Sequence, residues 1–318
     1  MANYLGMDVG SITTKLVVMN EGDQVLAKTY IRNSGRPIEA IQEGLEEILT
    51  QLGKTVPIDG VATTGSARHL AAYLVGGDLI KNEITAHAIA VIDFLHEAKT
   101  VIEIGGQDSK VIVLRNGVVV DFGMNTVCAA GTGSFLDQQA ARLGISIGAF
   151  GDLALKANHP VRIAGRCTVF AETDMIHKQQ MGHSVEDIVA GLCDSLVKNY
   201  LNNVCRGKEI LSPIVFQGGV AANRGIQKAL ERELEVSFII PKHFDVMGAI
   251  GAAKVVKRAK LSKTQFRGFD LRRKSCSTRG FECGECENQC EVIELLVDHQ
   301  VVACWGDLCE RYRHTQSC

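Results

Sequence analysis

The sequence predicts an α/β protein built from two related domains and closed by a small cysteine-rich segment. Three observations carry this expectation. A hairpin of strands followed by alternating helix and strand patterns occurs twice along the chain. Three apolar strands each run into a short glycine-rich turn. From about Leu261 the composition shifts to Lys, Arg and Cys. The expected division is 1–98 plus 241–260 for the first domain, 99–240 for the second, and 262–318 for the tail.

The elements follow in order. Residues 4–9 read as a buried strand broken by Gly10-Ser11, and 14–19 as a second strand. Asn20-Glu21-Gly22-Asp23 is a hairpin turn leading to a third strand over 24–30. Ile38, Ile41, Leu45 and Ile48 recur at helical spacing over 37–53, then come a short strand over 60–64 and a helix over 83–94. The pattern restarts at 100–104, a strand ending in Gly105-Gly106-Gln107-Asp108. Strands over 110–114 and 118–123 form a hairpin around Arg115-Asn116-Gly117. Helices are expected over 135–143 and 185–204, the second carrying Ile188, Leu192 and Leu196 on one face. A strand over 213–216, a helix over 225–235, a strand over 236–240 and an Ala-rich helix over 248–260 complete the pattern.

The chain has 318 residues, 46% hydrophobic and 22% charged, with a formal net charge of −2. That balance is ordinary for a globular protein and argues against nucleic acid as a partner. No apolar run reaches membrane-spanning length, and the start of the chain has no basic segment followed by an apolar one. The expectation is a cytoplasmic protein without a membrane partner. Eleven cysteines in such a compartment point to metal or redox chemistry rather than disulfides.

The glycine-rich turns are Gly6 to Lys15, Glu103 to Lys110 and Gln217 to Asn223. Glycine lets backbone N–H groups approach a phosphate closely. Asp8 is suited to holding Mg²⁺ through water, and Lys15 to offsetting phosphate charge. None of the three is a Walker or dinucleotide-binding fingerprint, but in this order they indicate a nucleotide site.

Two cysteines are the most informative feature. Cys128 opens Cys-Ala-Ala-Gly-Thr-Gly-Ser-Phe-Leu-Asp, and Cys167 opens Cys-Thr-Val-Phe-Ala-Glu-Thr-Asp; both precede helix-like stretches. A helix N-terminus favours thiolate over thiol and accepts an anionic group. An iron–sulfur cubane usually takes four thiolates; this pair supplies two, and a twofold dimer would supply the rest.

Residues Asn125 to Gly133 and Cys167 to Glu172, together with the three turns, resemble the activators of 2-hydroxyacyl-CoA dehydratases. That family includes the ATPase subunits of benzoyl-CoA reductases and the reductase of the double-cubane cluster protein. It lies within the actin, heat-shock-70 and sugar kinase superfamily, and the resemblance covers about residues 3–258. It implies two actin-like, ribonuclease-H-like domains around a nucleotide cleft, in an oxygen-sensitive homodimeric ATPase with Cys128 and Cys167 of both chains bridging one [4Fe–4S] cluster. It further implies ATP-dependent, low-potential transfer of single electrons to an iron–sulfur partner enzyme, with ferredoxin or flavodoxin as electron source.

Carried over by position, Gly10, Ser11, Ile12, Thr13, Thr14 and Lys15 contact the phosphates and Asp8 lies near Mg²⁺. Gln107 and Asp108, after Gly105 and Gly106, lie near the γ-phosphate; Gly218, Gly219 and Ala221 lie near the nucleoside of ATP or ADP. Glu103 stands where the family usually has Asp, and Met247 where it often has a polar residue.

Seven cysteines crowd the last stretch. Cys283, Cys286 and Cys290 form a dense Cys-x-x-Cys-x-x-x-Cys loop with Cys276 upstream. A structural Zn²⁺ site and a second iron–sulfur cluster both suit that spacing.

Other chemistry-bearing residues read more simply. Cys193 and Cys205 suit buried thiols, His87 and His177 satisfied histidines, Glu172 and Asp174 first-turn acids, and 254–263 a solvated basic face. Arg166 suits either a salt bridge or a hydrogen bond to a cluster. Two rival readings stand beside the electron donor: a small-molecule kinase of the same superfamily, and a nucleotide-dependent assembly or sensor protein.

Overall fold

The computed structural model describes residues 2–125, 129–271, 275–309, 311 and 312. The chain divides into two compact units, Met1–Ala90 with Gly248–Cys318, and Val91–Met247.

In the first unit, β1 (Asn3–Val9), β2 (Thr13–Asn20) and β3 (Val25–Arg32) form an antiparallel meander. Asp23 adopts the left-handed conformation in the β2–β3 turn that Asn20-Glu21-Gly22-Asp23 predicts. Helix α1 (Pro37–Leu52) opens with Pro at its first turn, and Gly53 ends it in the left-handed region. It returns the chain to β4 (Gly60–Thr64), parallel to β1, and α2 (Arg68–Val75) leads on to the two-residue β5 (Leu79–Ile80). The sheet order is β3-β2-β1-β4-β5. Ile41, Leu45 and Ile48 of α1 are fully buried in one core with Leu5, Met7, Leu16 and Val18.

Helix α3 (Glu83–Phe94) carries the chain into the second unit, which repeats the plan. Strands β6 (Thr100–Ile104), β7 (Ser109–Arg115) and β8 (Val118–Met124) form the meander. Helices α4 (Gly133–Leu143), α5 (Ile147–Ala154), α6 (Thr168–Gln180) and α7 (Val185–Asn203) return it to β9 (Ile214–Gln217), parallel to β6, so the order is β8-β7-β6-β9. Ile188, Leu192 and Leu196 of α7 are fully buried, as their spacing predicts. Helix α8 (Arg224–Leu234) follows.

The strand expected over 236–240 is a correction. Only Ile239 pairs, as a single parallel bridge to Val215, where β5 stands in the first unit. The apolar residues of this segment reflect packing of Val236, Phe238 and Ile240 against the core rather than a ladder.

Helix α9 (Met247–Ala259) returns to the first unit, packing Ala252 and Val256 against Ala62. The tail then forms an antiparallel sheet of β10 (Cys276–Glu282), β11 (Glu291–Val297) and β12 (Gln300–Trp305). One face inserts Leu295 and Ala303 into the first unit's core, and the Trp305 ring stacks on Tyr73 at 5.5 Å. The other face gathers Cys283, Val292 and Cys304 with Phe281, Cys290, Val301 and Tyr312. Among the described residues, no helix is long and apolar enough to cross a membrane.

Cys193 and Cys205 lie in the second unit's core, as their apolar neighbours in sequence predict. Burial raises the Cys193 thiol far above its ordinary range and pushes the Cys205 thiol up to about 12. From its ordinary 9.0, that shift cuts the thiolate fraction of Cys205 about a thousandfold. In the native protein both thiols should resist iodoacetamide, read by peptide mass spectrometry, and become labelled only in denaturant. Native labelling at the rate of a free peptide thiol would contradict this packing.

Candidate functional site

In each unit a buried carboxylate marks the end of the first strand. Asp8 of β1 is 4% exposed, and so is Glu103 of β6. Seven residues on, the antiparallel register brings a lysine opposite each: Asp8 faces Lys15, and Glu103 faces Lys110. The Lys15 ammonium stands 3.0 Å from Asp8 Oδ2, and that of Lys110 3.2 Å from Glu103 Oε2. A buried carboxylate is costly unless a cation is held beside it, so the hairpin register supplies the partner.

The turns after the two acids are built alike. The Gly10 N–H donates to the Thr13 carbonyl at 2.9 Å, and the Gly105 N–H to the Asp108 carbonyl at 2.8 Å. An asparagine after the third strand braces each turn. Asn33 accepts from Thr14 Oγ1 at 2.7 Å and donates to the Gly10 carbonyl at 2.6 Å. Asn125 accepts from the Ser109 N–H at 2.6 Å. The first helical turn of α4 adds a clamp in the second unit, where the Gly133 and Ser134 N–H groups each donate at 2.8 Å to the carbonyls of Gly105 and Gly106.

A glycine follows the parallel strand in both units, Gly65 after β4 and Gly218 after β9, with φ of +94° and +91°. A Cβ on Gly65 would stand 2.8 Å from Asp8 Oδ1, and one on Gly218 2.8 Å from Glu103 Oε1. Both glycines are therefore required by backbone conformation and by the space the acid occupies. Gly248, at the start of α9, likewise leaves room beside Asp8 Oδ2 and the buried His87 ring.

The residues expected to hold a nucleotide fall into these turns. Within the first unit, Asp8 and Gly10 to Lys15 form one continuous turn with Ser11 at the surface. Within the second, Glu103, Gly105, Gly106, Gln107 and Asp108 form the matching turn. Gly218, Gly219 and Ala221 start a short 3-10 turn whose Gly218 N–H is held by the Phe244 carbonyl at 2.9 Å. Lys110 and Asn125, which lie in the quoted motifs without a role of their own, join them, as do Asn33 and Gly65, which lie outside those motifs. A signal for the lysine exists in the sequence: Asp8 and Glu103 are each followed by glycine two residues on and lysine seven residues on.

Cys128 lies outside the described residues. Cys167 occupies the N-cap of α6, half-buried, with its side chain making no capping hydrogen bond. The loop before it is tied down at three points. Asp174 accepts from the Ala164 N–H at 2.8 Å, Ser195 Oγ donates to the Ala164 carbonyl at 2.7 Å, and Asn199 Nδ2 donates to the Gly165 carbonyl at 2.5 Å. Arg166 is exposed, and Glu172 pairs with Arg142 at 2.7 Å. Val169 and Phe170, the next apolar residues, are 67% and 64% exposed.

In the tail, Cys283, Cys286 and Cys290 share the β10–β11 turn. Cys276 does not join them. It opens β10 opposite Val297, roughly 20 Å along the strand from the turn at about 3.3 Å per residue, and packs toward the first unit's core.

Comparison with known proteins accords with this geometry. The (R)-2-hydroxyglutaryl-CoA dehydratase activating ATPase of Acidaminococcus fermentans is 34% identical over 252 residues, 78% of this chain and 95% of that protein. The activator of lactoyl-CoA dehydratase of Anaerotignum propionicum is 32% identical over 251 residues, 78% of this chain and 95% of that protein. The solved structure of the activator of the 2-hydroxyisocaproyl-CoA dehydratase from Clostridium difficile with bound ADPNP superposes with a TM-score of 0.76 at 34% identity. It covers 81% of this chain and 95% of that one. The fold is the two-domain actin-like α/β fold of these ATPases.

Replacing Lys110 by Ala should destabilise the protein by about 3–5 kcal/mol in urea unfolding, since it strands the buried Glu103 carboxylate. Lys15→Ala should cost less, because the Lys15 side chain is 15% exposed against 4% for Lys110. Gly218→Ala should cost about 1–3 kcal/mol through its left-handed backbone. A Lys110→Ala protein as stable as the parent would show that the pair carries no stability.

The model of the BadF/BadG/BcrA/BcrD ATPase family matches residues 5–256, and the chain belongs to that family.

Proposed function

We propose that this chain is an ATP-driven electron donor that activates a partner iron–sulfur enzyme of the 2-hydroxyacyl-CoA dehydratase class. Family membership and the dehydratase-activator names of its relatives support the ATPase and activator parts of this reading. The observation that carries the electron-donor part is Cys167, a half-buried thiol at the N-cap of a 13-residue helix with no capping bond of its own.

The donor chemistry fits an anionic cluster. The N-terminus of α6 presents unsatisfied N–H groups and partial positive charge, which stabilise a thiolate and a negative ligand by about 0.3–1 kcal/mol. Asp174, Ser195 and Asn199 hold Ala164 and Gly165, the approach to Cys167, through backbone hydrogen bonds. In this reading Cys128 and Cys167 of two copies hold one [4Fe–4S] cluster, and the exposed Val169 and Phe170 contribute apolar surface around it. Such a cluster supplies a one-electron carrier whose potential follows charge, hydrogen bonding and solvent exposure. Ferredoxin or flavodoxin is the proposed source of the electron.

The nucleotide role falls to the paired turns. Asp8 would hold Mg²⁺ through water, with Lys15 dividing its charge between Asp8 and phosphate. The N–H groups of Gly10 to Thr14 would take the phosphates, and Gln107 and Asp108 would lie near the γ-phosphate. Gly218, Gly219 and Ala221 would lie beside the nucleoside. Glu103 already shares Lys110, so its longer carboxylate would act on water or Mg²⁺ from a fixed position. Nucleotide can shift electron transfer only by as much as it binds two conformations unequally.

Protein purified without oxygen should carry about two irons and two sulfides per chain at the bridging site, half of a shared cubane. Cys167→Ser should lose them and the ATP-dependent reduction of a partner, while still binding ATP. A parent protein free of iron and sulfide that binds ATP and phosphorylates a small hydroxylated substrate would replace this reading with that of a kinase.

A further inference from the structure

We infer that the C-terminal sheet holds one zinc ion, ligated by the thiolates of Cys283, Cys286, Cys290 and Cys309. This segment lies beyond residue 256, where the family match ends, and the inference stands independently of the proposed electron transfer.

Three ligands come from one tight turn. The Cys283 N–H donates to the Cys290 carbonyl at 2.8 Å, closing the eight-residue loop at its base. Inside it, the Gln289 N–H donates to the Cys286 carbonyl at 3.2 Å, and Gln289 takes the left-handed conformation with φ of +43°. Cys283 and Cys290 thus sit side by side at the end of β10 and the start of β11, with Cys286 exposed on the loop above them.

The fourth ligand is set by where the chain goes after β12. Gly306, with φ of +112°, lies against the backbone of Glu291 and Val292, next to Cys290. A Cβ there would collide with the Glu291 carbonyl, so a glycine is required, and beyond it Arg311 pairs with Glu285 of the cysteine turn. Tyr312 then places its hydroxyl 3.8 Å from Cys283 Sγ. Asp307 is 5% exposed, and its Oδ2 accepts from the Tyr312 N–H at 3.0 Å and lies 3.9 Å from Cys309 Sγ. Its Oδ1 is buried with no hydrogen-bond partner among the described residues. That oxygen is available to a cation or a further donor, and Asp307 is placed to orient Cys309.

Two other described cysteines lie along the strands away from the turn, and Cys318 lies outside the described residues. Cys276 opens β10 at the far end of the sheet. Cys304 lies opposite Glu294, three residues and roughly 10 Å along the strand from Glu291, and is buried in the apolar cluster with Val292 and Cys283 against which Cys290 packs. Among the described residues, no three thiol, imidazole or carboxylate groups already converge on one point. Cys286 and Cys309 are both exposed, so their side chains can turn inward without disturbing the packed face. Zinc suits the turn because its tetrahedron of about 2.3 Å bonds draws four sulfurs close together, which a tightly closed loop permits.

The test is metal content of the full-length protein by plasma mass spectrometry, with acid-labile sulfide in parallel. The parent, Cys276→Ser and Cys304→Ser should each retain about one zinc per chain. Cys286→Ser and Cys309→Ser, which alter exposed positions, should lose bound zinc about tenfold or more, and Asp307→Asn should weaken it about tenfold. Cobalt substituted into the parent should show the visible absorption of tetrahedral thiolate coordination, a readout that needs no variant. A parent that binds neither zinc nor cobalt overturns the inference. So does equal zinc loss in Cys276→Ser and Cys286→Ser, or iron and sulfide that leave with Cys286→Ser. Iron lost in Cys167→Ser with zinc retained supports a tail site separate from the bridging cysteines.

Discussion

The buried pairing of an acid with a lysine seven residues later is the constraint on which both units turn. Asp8 and Glu103 end their strands inside the protein, where an unpaired carboxylate is costly. The antiparallel register brings Lys15 and Lys110 opposite them, so the strand-turn-strand geometry and the charge balance are one requirement. The turn between acid and lysine has little freedom left: its glycine N–H is spent on a carbonyl three residues on, and an asparagine from the third strand braces it. The parallel strand alongside must then end in a residue without a Cβ, and Gly65 and Gly218 meet that demand.

Repetition of this device gives the two units their likeness despite unlike residues. Between the third and fourth strands, among the described residues, the first unit inserts one α-helix and the second inserts four. The additional helices carry Cys167, and the polar contacts from Asp174, Ser195 and Asn199 hold its loop. A helix N-terminus whose cap residue leaves its thiol uncommitted, followed by exposed Val169 and Phe170, is costly surface for an isolated chain. That cost is explicable where the surface meets a ligand or another protein.

The tail follows a different logic. Its sheet has two apolar faces, one absorbed into the first unit's core through Leu295, Ala303 and Trp305, the other lined by Cys283, Val292 and Cys304. The second face is small, and three strands with so little core of their own gain from a cross-link. The proposed zinc at the cysteine turn would act as one.

Much of this is legible in the residues. The meanders, the helices over Pro37–Leu52 and Val185–Asn203, and the turns at Asp8, Glu103 and Gly218 follow from periodicity and glycine placement, which are local properties. The strand expected over 236–240 fails because apolar content records burial, not ladder pairing, and only Ile239 reaches a partner. Cys276 groups with Cys283, Cys286 and Cys290 only while proximity in sequence stands in for proximity in space; an extended strand separates them. Lysine partnership and the glycines beside each acid are set by register and by chain path around a core. By itself the sequence determined which segments are strands, helices and glycine turns, and which thiols precede a helix. Tertiary structure decided which charges share a buried pocket and that Cys276 stands apart from the cysteine turn, because those depend on contacts between residues far apart in the chain.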